Sequence, residues 1–306
     1  PREVVKKLTE INTAKGLFFI LSDYIMILGI IALCLTLNNP LLYIIAIPLI
    51  ANRQHSLLVQ MHDSSHRNIS KSKTVNDFIG EFILAWPMFF RMESYRQTHN
   101  LHHSFANTNK DPDFIEERFP QSQEKLVRIL LKDLSGLGVL SQFKKLKRLK
   151  KQTKNEVSMK VKLAQIIYYT LMLGTITHFG VWKEFLVFWL LPLFTWLSFI
   201  LQIRSIADHS GPELQLKPHP FNTRTIVSNL FDRLFIAPHN CSYHLAHSIY
   251  PKVPAYNLKK CHQELMKVDL IKDNARLTNG FISLLKEFPK SEEDVKENKF
   301  DFYYAR

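Results

Sequence analysis

The stretch GLFFILSDYIMILGIIALCLTL, residues 16–37, decides the fold class of this 306-residue chain. Only Ser22, Asp23 and Thr36 interrupt its run of apolar side chains. A helix of this length, at ~1.5 Å per residue, crosses the ~30 Å hydrocarbon core of a lipid bilayer. The sequence therefore predicts that residues 16–37 form a membrane-spanning helix.

A second apolar segment follows the tight turn that Asn38, Asn39 and Pro40 predict. Its first part, LLYIIAIPLIA, is too short to cross a bilayer, but LLVQM continues it after the polar residues 52–55. We therefore predict one long helix with a span at residues 41–61, whose far end is covered by protein rather than by lipid. The two spans form a helical hairpin.

A second hairpin is predicted from residues 163–181 and 185–203, which are each long enough to cross and are joined by a short turn. Between the two hairpins, residues 78–90 form an apolar stretch that is too short to span. We expect this stretch to lie at the membrane interface or to re-enter the membrane.

These segments predict an all-α fold: a multi-pass membrane protein with four transmembrane helices in two hairpins and a cytoplasmic helical cap. We expect one domain over residues 1–306, with a charged, peripheral tail at residues 289–306. The mean hydropathy of −0.08 then averages two unlike populations of residues, the apolar spans and a basic polar remainder.

Positive charge is distributed in a way that predicts the topology. Lys and Arg outnumber Asp and Glu by 40 to 27, which gives a net charge of +13. Basic residues concentrate in residues 144–154 and near the N-terminus, so the positive-inside rule places both termini and the large loops in the cytoplasm. Attraction to anionic lipid or to an acidic electron-transfer partner is the functional alternative, and nucleic-acid binding is not indicated.

Four histidine-rich segments contain most of the 13 His residues. They are HDSSH at 62–66, HNLHH at 99–103, DH at 208–209 and HNCSYHLAH at 239–247. The first three follow a predicted span or the interfacial stretch, and an even number of crossings separates them. The segments can therefore meet on one face of the membrane, the cytoplasmic one.

The spacing within these segments groups the imidazoles, because residues i, i+3 and i+4 share a face of a helix. Imidazole is the usual protein ligand of iron, zinc and copper. More imidazoles converge than one ion can bind, so the sequence predicts two metal ions. The converging residues are His62, His66, His99, His102, His103, His209, His244 and His247.

Other metal-binding classes fit less well. A carboxylate-bridged bundle is not indicated, because no Glu lies three residues before a His. A haem cytochrome would place His pairs inside facing spans, but only His178 lies inside a predicted span. We expect His178 to be an interior residue. A metal transporter would need ionisable or broken-helix sites near mid-membrane, for which Asp23, His178 and Pro192 are the candidates. His55 is expected to be structural.

Together the histidine segments resemble the histidine boxes of the membrane fatty acid desaturase and hydroxylase superfamily. The resemblance rests on HDSSH, YRQTHNLHH followed by NTNKDPDF, IRSIADH and APHNCSYHLAHSIYP, in this order, and covers roughly residues 16–270. Acyl-lipid desaturases, carotenoid ketolases and hydroxylases, the rhizobitoxine-type desaturase and alkene-forming fatty acid decarboxylases share such boxes. A bacterial-type acyl desaturase or a carotenoid-ketolase-like branch is favoured, in a bacterial inner membrane.

The resemblance implies a nonhaem diiron centre, O2 as the oxidant, and electrons from a separate ferredoxin or cytochrome-b5-like protein. The implied reaction is oxidation of an unactivated C–H bond in a lipid acyl chain, with desaturation favoured. Hydroxylation, ketolation, decarboxylation, an inactive homologue and a non-enzymatic metal-binding membrane protein stay open as alternatives. By this resemblance the eight converging His residues are iron ligands, and Asp63, Asp208 and Asn240 orient the imidazoles or bound water.

The chain departs from the pattern of the superfamily in its last box. That box usually ends in His-His, whereas here His247 is followed by Ser248. A ligand is therefore missing, and His239 is a weaker candidate to replace it, alongside a water molecule or an open position on one iron. Residues that match positions flanking the second box are expected to support it or to shape its loop; they are Tyr95, Arg96, Asp111 and Asp113.

Overall fold

The structure, a computed structural model, describes residues 2–108, 110–112, 122–140, 157–210, 214 and 217–288. Asp113, the basic residues 144–154 and the tail at residues 289–306 lie outside the described residues, and so do the predictions made for them. Within the described part the chain is mostly helical, which confirms the helical class.

The first hairpin is present, and its turn is built as the sequence predicts. Helix α1 (Arg2–Leu8) precedes α2 (Thr13–Leu37) and α3 (Pro40–Ser65), and α2 packs along α3. Asn38 ends α2 in the left-handed region, with φ 43°, and the Asn39 side chain accepts a hydrogen bond from the N–H of Leu41 at the start of α3.

The second half of α3 is surrounded by protein, as the sequence analysis predicts. Asn52, Gln54 and His55 are almost fully buried, and a side-chain nitrogen of each lies 2.8–3.0 Å from a backbone carbonyl oxygen elsewhere in the chain. Buried polar groups need such partners, because water does not reach them. The contact of His55 is consistent with the structural role expected for it.

The stretch predicted to lie at the interface folds as short, irregular helix. Helix α4 (Lys73–Phe78) continues into a π-helical segment, Ile79–Ala85, and a 3-10 turn, Trp86–Met88. Gly80 packs against α3 so closely that a Cβ there would lie 2.2 Å from Ser64 Oγ.

The next helix, α5 (Met92–Phe105), is held at its start by Glu81. The Glu81 carboxylate accepts hydrogen bonds from the backbone N–H groups of Met92 and Glu93, at 3.2 and 2.9 Å. These amides have no partner inside the helix, and a negative charge at a helix N-terminus is favourable. Glu81 therefore ties α5 to the π-helical segment.

The second predicted hairpin consists of α7 (Met159–Phe179) and α8 (Trp182–His209), with α6 (Gln123–Leu134) before them. Helix α8 contains a π-helical stretch, Leu186–Leu190. Gly180 closes α7 in the left-handed region.

Among the described residues, three helices are long and apolar enough to cross a membrane: α2, α3 and α8. Helix α7, which contains the predicted third span, is not among them, because Lys160, Lys162 and Gln165 near its start lower its mean hydropathy.

The remaining elements are short and pack largely against one another, with further contacts to α3 and α8. A pair of parallel strands was not predicted, because such a pair forms between distant segments and leaves no local turn signal. Strand β1 (Arg224–Val227) pairs with β2 (Arg276–Asn279) in the register Arg224 to Arg276. The elements are β1 (Arg224–Val227), α9 (Leu230–Phe235), α10 (His244–Ile249), a 3-10 turn (Ala255–Asn257), α11 (Leu258–Leu265), α12 (Asp269–Asn274), β2 (Arg276–Asn279) and α13 (Phe281–Leu285).

One cluster of buried apolar side chains joins the long helices to these short elements. Ile50 and Leu57 of α3, Trp86, Leu197 of α8 and Ile226 of β1 belong to it. Because this cluster fixes the ends of α3, α5 and α8 against one another, the histidines at those ends are held in a defined arrangement.

Candidate metal centre

Four elements bring the predicted histidines together. His62 lies in the last turn of α3 and His66 caps that helix, His99, His102 and His103 lie on α5, and His209 ends α8. Helix α10 supplies the remaining two, His244 and His247. The i, i+3 and i+4 spacing therefore acts as predicted, since each element presents its imidazoles from one side.

The first group contains His62, His66, His99 and His247, with one ring nitrogen from each within 4.8 Å of the others. His62 Nε2 lies 2.9 Å from His99 Nε2. His103 joins this group, because its Nε2 lies 3.0 Å from His99 Nε2 and 3.1 Å from His247 Nε2. His103 thus adjoins the four imidazoles through two of them, and we name these five residues the five-His group.

A second group contains His102, His209 and His244, again with ring nitrogens within 4.8 Å of one another. The Nε2 atoms of His209 and His244 are 3.1 Å apart. We name these residues the three-His group. It adjoins the five-His group, because His102 and His103 are neighbours on α5, with ring centroids 6.0 Å apart.

The environment keeps four imidazoles of the five-His group neutral. Burial, followed by the proximity of other imidazoles, lowers the pKa of His66, His99 and His247 well below its usual range. The same causes lower the pKa of His103 to about 3. At neutral pH these rings therefore have a free nitrogen lone pair, which is the form that binds a metal.

The donor set fits a transition metal. The Nε2 atoms of His62 and His99 are 2.9 Å apart. When both rings have their proton on Nδ1, the two Nε2 lone pairs repel each other, and a cation bound by both would relieve that repulsion. His66 Nε2 is buried and has no hydrogen-bond partner among the described residues. Imidazole nitrogens suit iron, zinc and copper and are poor ligands for magnesium or calcium. The two groups could therefore hold two metal ions.

Asp111 is the carboxylate closest to an imidazole of the three-His group. One carboxylate oxygen lies 2.9 Å from His102 Nδ1, and Asp111 is 5% exposed. The contact favours the tautomer with a proton on Nδ1, which turns Nε2 toward the group. Asp111 was expected to support the second box, and the structure places it against His102.

Asp208 lies at the end of α8 beside the three-His group. A carboxylate oxygen is 3.8 Å from His244 Nδ1 and accepts a hydrogen bond from Arg204 at 2.6 Å. Arg204 also donates to the backbone carbonyl of Cys241. Asp208 and Arg204 together therefore join α8 to the segment that leads into α10.

Asp63 and Asn240 make their hydrogen bonds to one stretch of backbone. The Asp63 carboxylate accepts from the N–H of Ala255 at 2.7 Å, and Asn240 Nδ2 donates to the carbonyl of Ala255 at 3.4 Å. The other Asp63 oxygen is 3.9 Å from His62 Nδ1. The hydrogen bonds of both side chains thus hold the loop before α11 rather than an imidazole.

Arg96 and Tyr95 support the centre from α5. Arg96 is buried and donates to the last carbonyls of α3, those of Ser64 and Ser65. The Tyr95 ring stacks on that of His99, with centroids 5.0 Å apart. Arg96 therefore joins the two helices that provide most of the five-His group.

Two residues, His239 and His178, lie elsewhere than the sequence suggested. His239 joins neither group, because its Nε2 lies 2.7 Å from Asp23 Oδ2, so it does not replace the missing ligand. Ser248, where the superfamily usually has His, is buried on α10, one turn after His244. His178 was expected to be an interior residue, but its side chain is exposed near the end of α7.

Glu81 and Arg204 are the supporting residues that the sequence analysis missed. Both are charged side chains within apolar stretches, and both have buried partners. A single charged residue within an apolar stretch is the signal that could have identified Glu81 and Arg204, because a buried charge requires a specific partner.

Comparison with known proteins gives a consistent picture. A family model described as fatty acid desaturase matches residues 38–276. The chain is 25% identical to dihydrorhizobitoxine desaturase of Bradyrhizobium elkanii over 87% of this chain and 80% of that protein. It is 25% identical to an sn-1 oleoyl-lipid 12-desaturase of a Synechocystis strain, over 67% of this chain and 62% of the relative. Identity to a chloroplastic omega-6 fatty acid desaturase of Arabidopsis thaliana is 23%, over 76% of this chain and 56% of that protein.

Proposed function

Because the chain belongs to the fatty acid desaturase family, we propose that it is a membrane diiron enzyme that uses O2 to desaturate an acyl chain. The observation that supports this proposal best is the meeting of eight imidazoles from four separate elements. The oxidoreductase class predicted from the sequence follows from the family itself.

The ligand assignment is part of the proposal. The five-His group and the three-His group would each hold one iron, and the bound irons, with O2, would supply the oxidising power needed to remove hydrogen from an unactivated methylene. Asp111 holds the proton on His102 Nδ1, so that Nε2 faces the metal. His99 and His247 are buried, which limits the access of water to their rings.

The names of the relatives favour desaturation over the other reactions on this scaffold. The three relatives described above are all named desaturases, and two of those names specify fatty acid or oleoyl-lipid substrates. We therefore place a lipid or fatty acyl chain as the substrate. Hydroxylation, ketolation or decarboxylation on the same centre is the alternative that product analysis separates.

We further propose four spans, with the metal centre on the cytoplasmic face of a bacterial inner membrane. The outward faces of α2 and α7 support lipid contact, since large apolar side chains such as Phe18, Leu28, Ile166 and Leu171 are exposed there. The electrons come from a separate donor, a ferredoxin or a cytochrome-b5-like protein.

The test is lipid analysis of a host that expresses the protein. Mass spectrometry of the lipids should show new unsaturated acyl chains, which disappear in His102→Ala and persist in His178→Ala, whose side chain is exposed on α7. New hydroxylated chains or alkenes would favour the alternative reactions. Unchanged lipids, from a protein that has two irons and is supplied with a donor, would contradict the enzymatic proposal.

A further inference from the structure

A cavity of about 260 Å³ lies outside both histidine groups, between α3 and the segment 228–243. Three basic side chains line it, those of Arg53, Arg233 and His239. None of its lining residues in the described part of the chain has a carboxylate. The proposed function does not use this cavity.

The charges around the cavity do not cancel. Arg53 donates to Asp23 Oδ1 at 3.0 Å, and Asp23 Oδ2 lies 2.7 Å from His239 Nε2. Asp23 is fully buried behind the wall of the cavity, so it balances Arg53. The guanidinium group of Arg233 has no carboxylate partner among the residues that the structure describes. One positive charge is therefore left to face the cavity.

Hydrogen-bond donors accompany this charge. Ser228 donates its hydroxyl proton to Ser242 Oγ at 2.8 Å, which leaves the hydroxyl proton of Ser242 for another acceptor. A guanidinium group presents paired N–H donors that match the two oxygens of a carboxylate or a phosphate. The wall is thus suited to a group that is negatively charged and accepts hydrogen bonds.

An apolar helix face adjoins the cavity. Helix α9 packs against α3 and has three exposed apolar side chains, Leu230, Phe231 and Leu234, of which Leu234 lines the cavity. At ~1.5 Å per residue, Arg53 lies roughly 20 Å along α3 from Pro40, within the length of a helix that spans a bilayer. Basic pockets beside spanning helices are suited to anionic lipid head groups.

We propose that this cavity binds the anionic group, carboxylate or phosphate, of an amphiphilic lipid, with Arg233 as the principal contact. The apolar part of that lipid lies along the exposed face of α9. The cavity also borders the metal centre's supporting structure, because its lining residue Tyr243 directly precedes His244 on α10. The proposal requires neither iron nor turnover.

Binding to the purified full chain in a neutral detergent tests the proposal. The probes are radiolabelled oleate, which has a carboxylate, and phosphatidylglycerol, which has a phosphate. Arg233→Gln should weaken binding of at least one probe about tenfold, as expected for the loss of one charge-assisted hydrogen bond. Arg128→Gln, a matched change of an exposed Arg on α6, should leave the affinity unchanged. Arg53 is unsuitable as the test residue, because its removal leaves Asp23 buried without its cation.

The two probes distinguish the source of the anionic group. If Arg233→Gln weakens the binding of oleate alone, the ligand is a fatty acid carboxylate. If it weakens the binding of phosphatidylglycerol alone, the ligand is a phospholipid phosphate. Both outcomes support the proposal. Equal affinity of wild type and Arg233→Gln for both probes would overturn it, as would equally tight binding of uncharged diacylglycerol. Because no product is measured, the result is independent of the desaturase assignment.

Discussion

At the scale of single residues, the contact between His102 and Asp111 links loop structure to metal chemistry. His102 belongs to the group that has only three imidazoles, so each of its ligands has a larger share in holding an ion. The Asp111 carboxylate fixes both the tautomer and the orientation of the His102 ring.

We therefore expect Asp111→Asn to weaken metal binding without unfolding the chain. Loss of a carboxylate partner of a metal-bound His reduces metal affinity by about 10–100-fold. Elemental analysis of the purified protein after a chelator titration measures the iron retained. The matched variant Asp269→Asn, at an exposed position on α12, should retain iron as the wild type does. Equal retention in the two variants would show that Asp111 does not orient His102.

The contacts of single residues also show which parts of the site the sequence predicts and which it does not. Within each element the histidines share a side, because helical spacing is a local property that their sequence positions already contain. The eight histidines meet because four separate elements pack together, as the resemblance implied. Whether His239 replaces the ligand missing at Ser248 could not be predicted in the same way. Its partner, Asp23, lies 216 positions away, and no local pattern links the two residues.

At the scale of elements, the π-helical segment Ile79–Ala85 depends on its close contact with α3. Gly80 lies where any side chain would overlap Ser64, whereas Gly29 on α2 has no atom within 4 Å of the position of a Cβ. These two glycines therefore form a matched pair, one required by packing and the other not.

Gly80→Ala should destabilise the protein by about 1–3 kcal/mol, the usual cost of overpacking a filled interior. Gly29→Ala should be neutral or slightly stabilising, because Ala is favoured over Gly inside a helix. The thermal midpoint of each variant in detergent measures the difference. Similar midpoints for both variants would mean that the segment moves away from α3 at no cost.

Sequence patterns predicted the long elements better than the short ones. Apolar length identifies α2 and, when the run is continued across the polar residues 52–55, α3, since a largely apolar segment long enough to cross a bilayer is typical of membrane-spanning helices. The π-helical segment and the parallel strands β1 and β2 were not predicted. The first differs from α-helix only in local hydrogen bonding, and the strands pair across a long connection.

At the scale of the whole molecule, the topology follows from which helices cross the membrane. In the described part of the chain, three are long and apolar enough to cross, and α7 is the proposed fourth. With four spans, the loop after α3 and the turn between α7 and α8 lie on opposite faces.

A membrane-impermeant maleimide applied to intact cells tests this arrangement. Lys71→Cys and Lys183→Cys place single thiols at exposed positions in the two connections, and the three native cysteines are buried. We expect labelling at position 183 in intact cells, and at position 71 only after the membrane is opened. Labelling of both positions in intact cells would contradict the four-span topology.

The helical class, the hairpins and the helix faces that carry the histidines could all be predicted from the amino-acid sequence. These properties depend on the length of apolar runs and on residues three or four apart, which any short segment contains. Three features are visible only in the folded chain: the division of the histidines into the five-His group and the three-His group, the pairing of Asp111 with His102, and the contact of His239 with Asp23. Each depends on which distant elements pack together, and that choice is made by the common core rather than by any one segment.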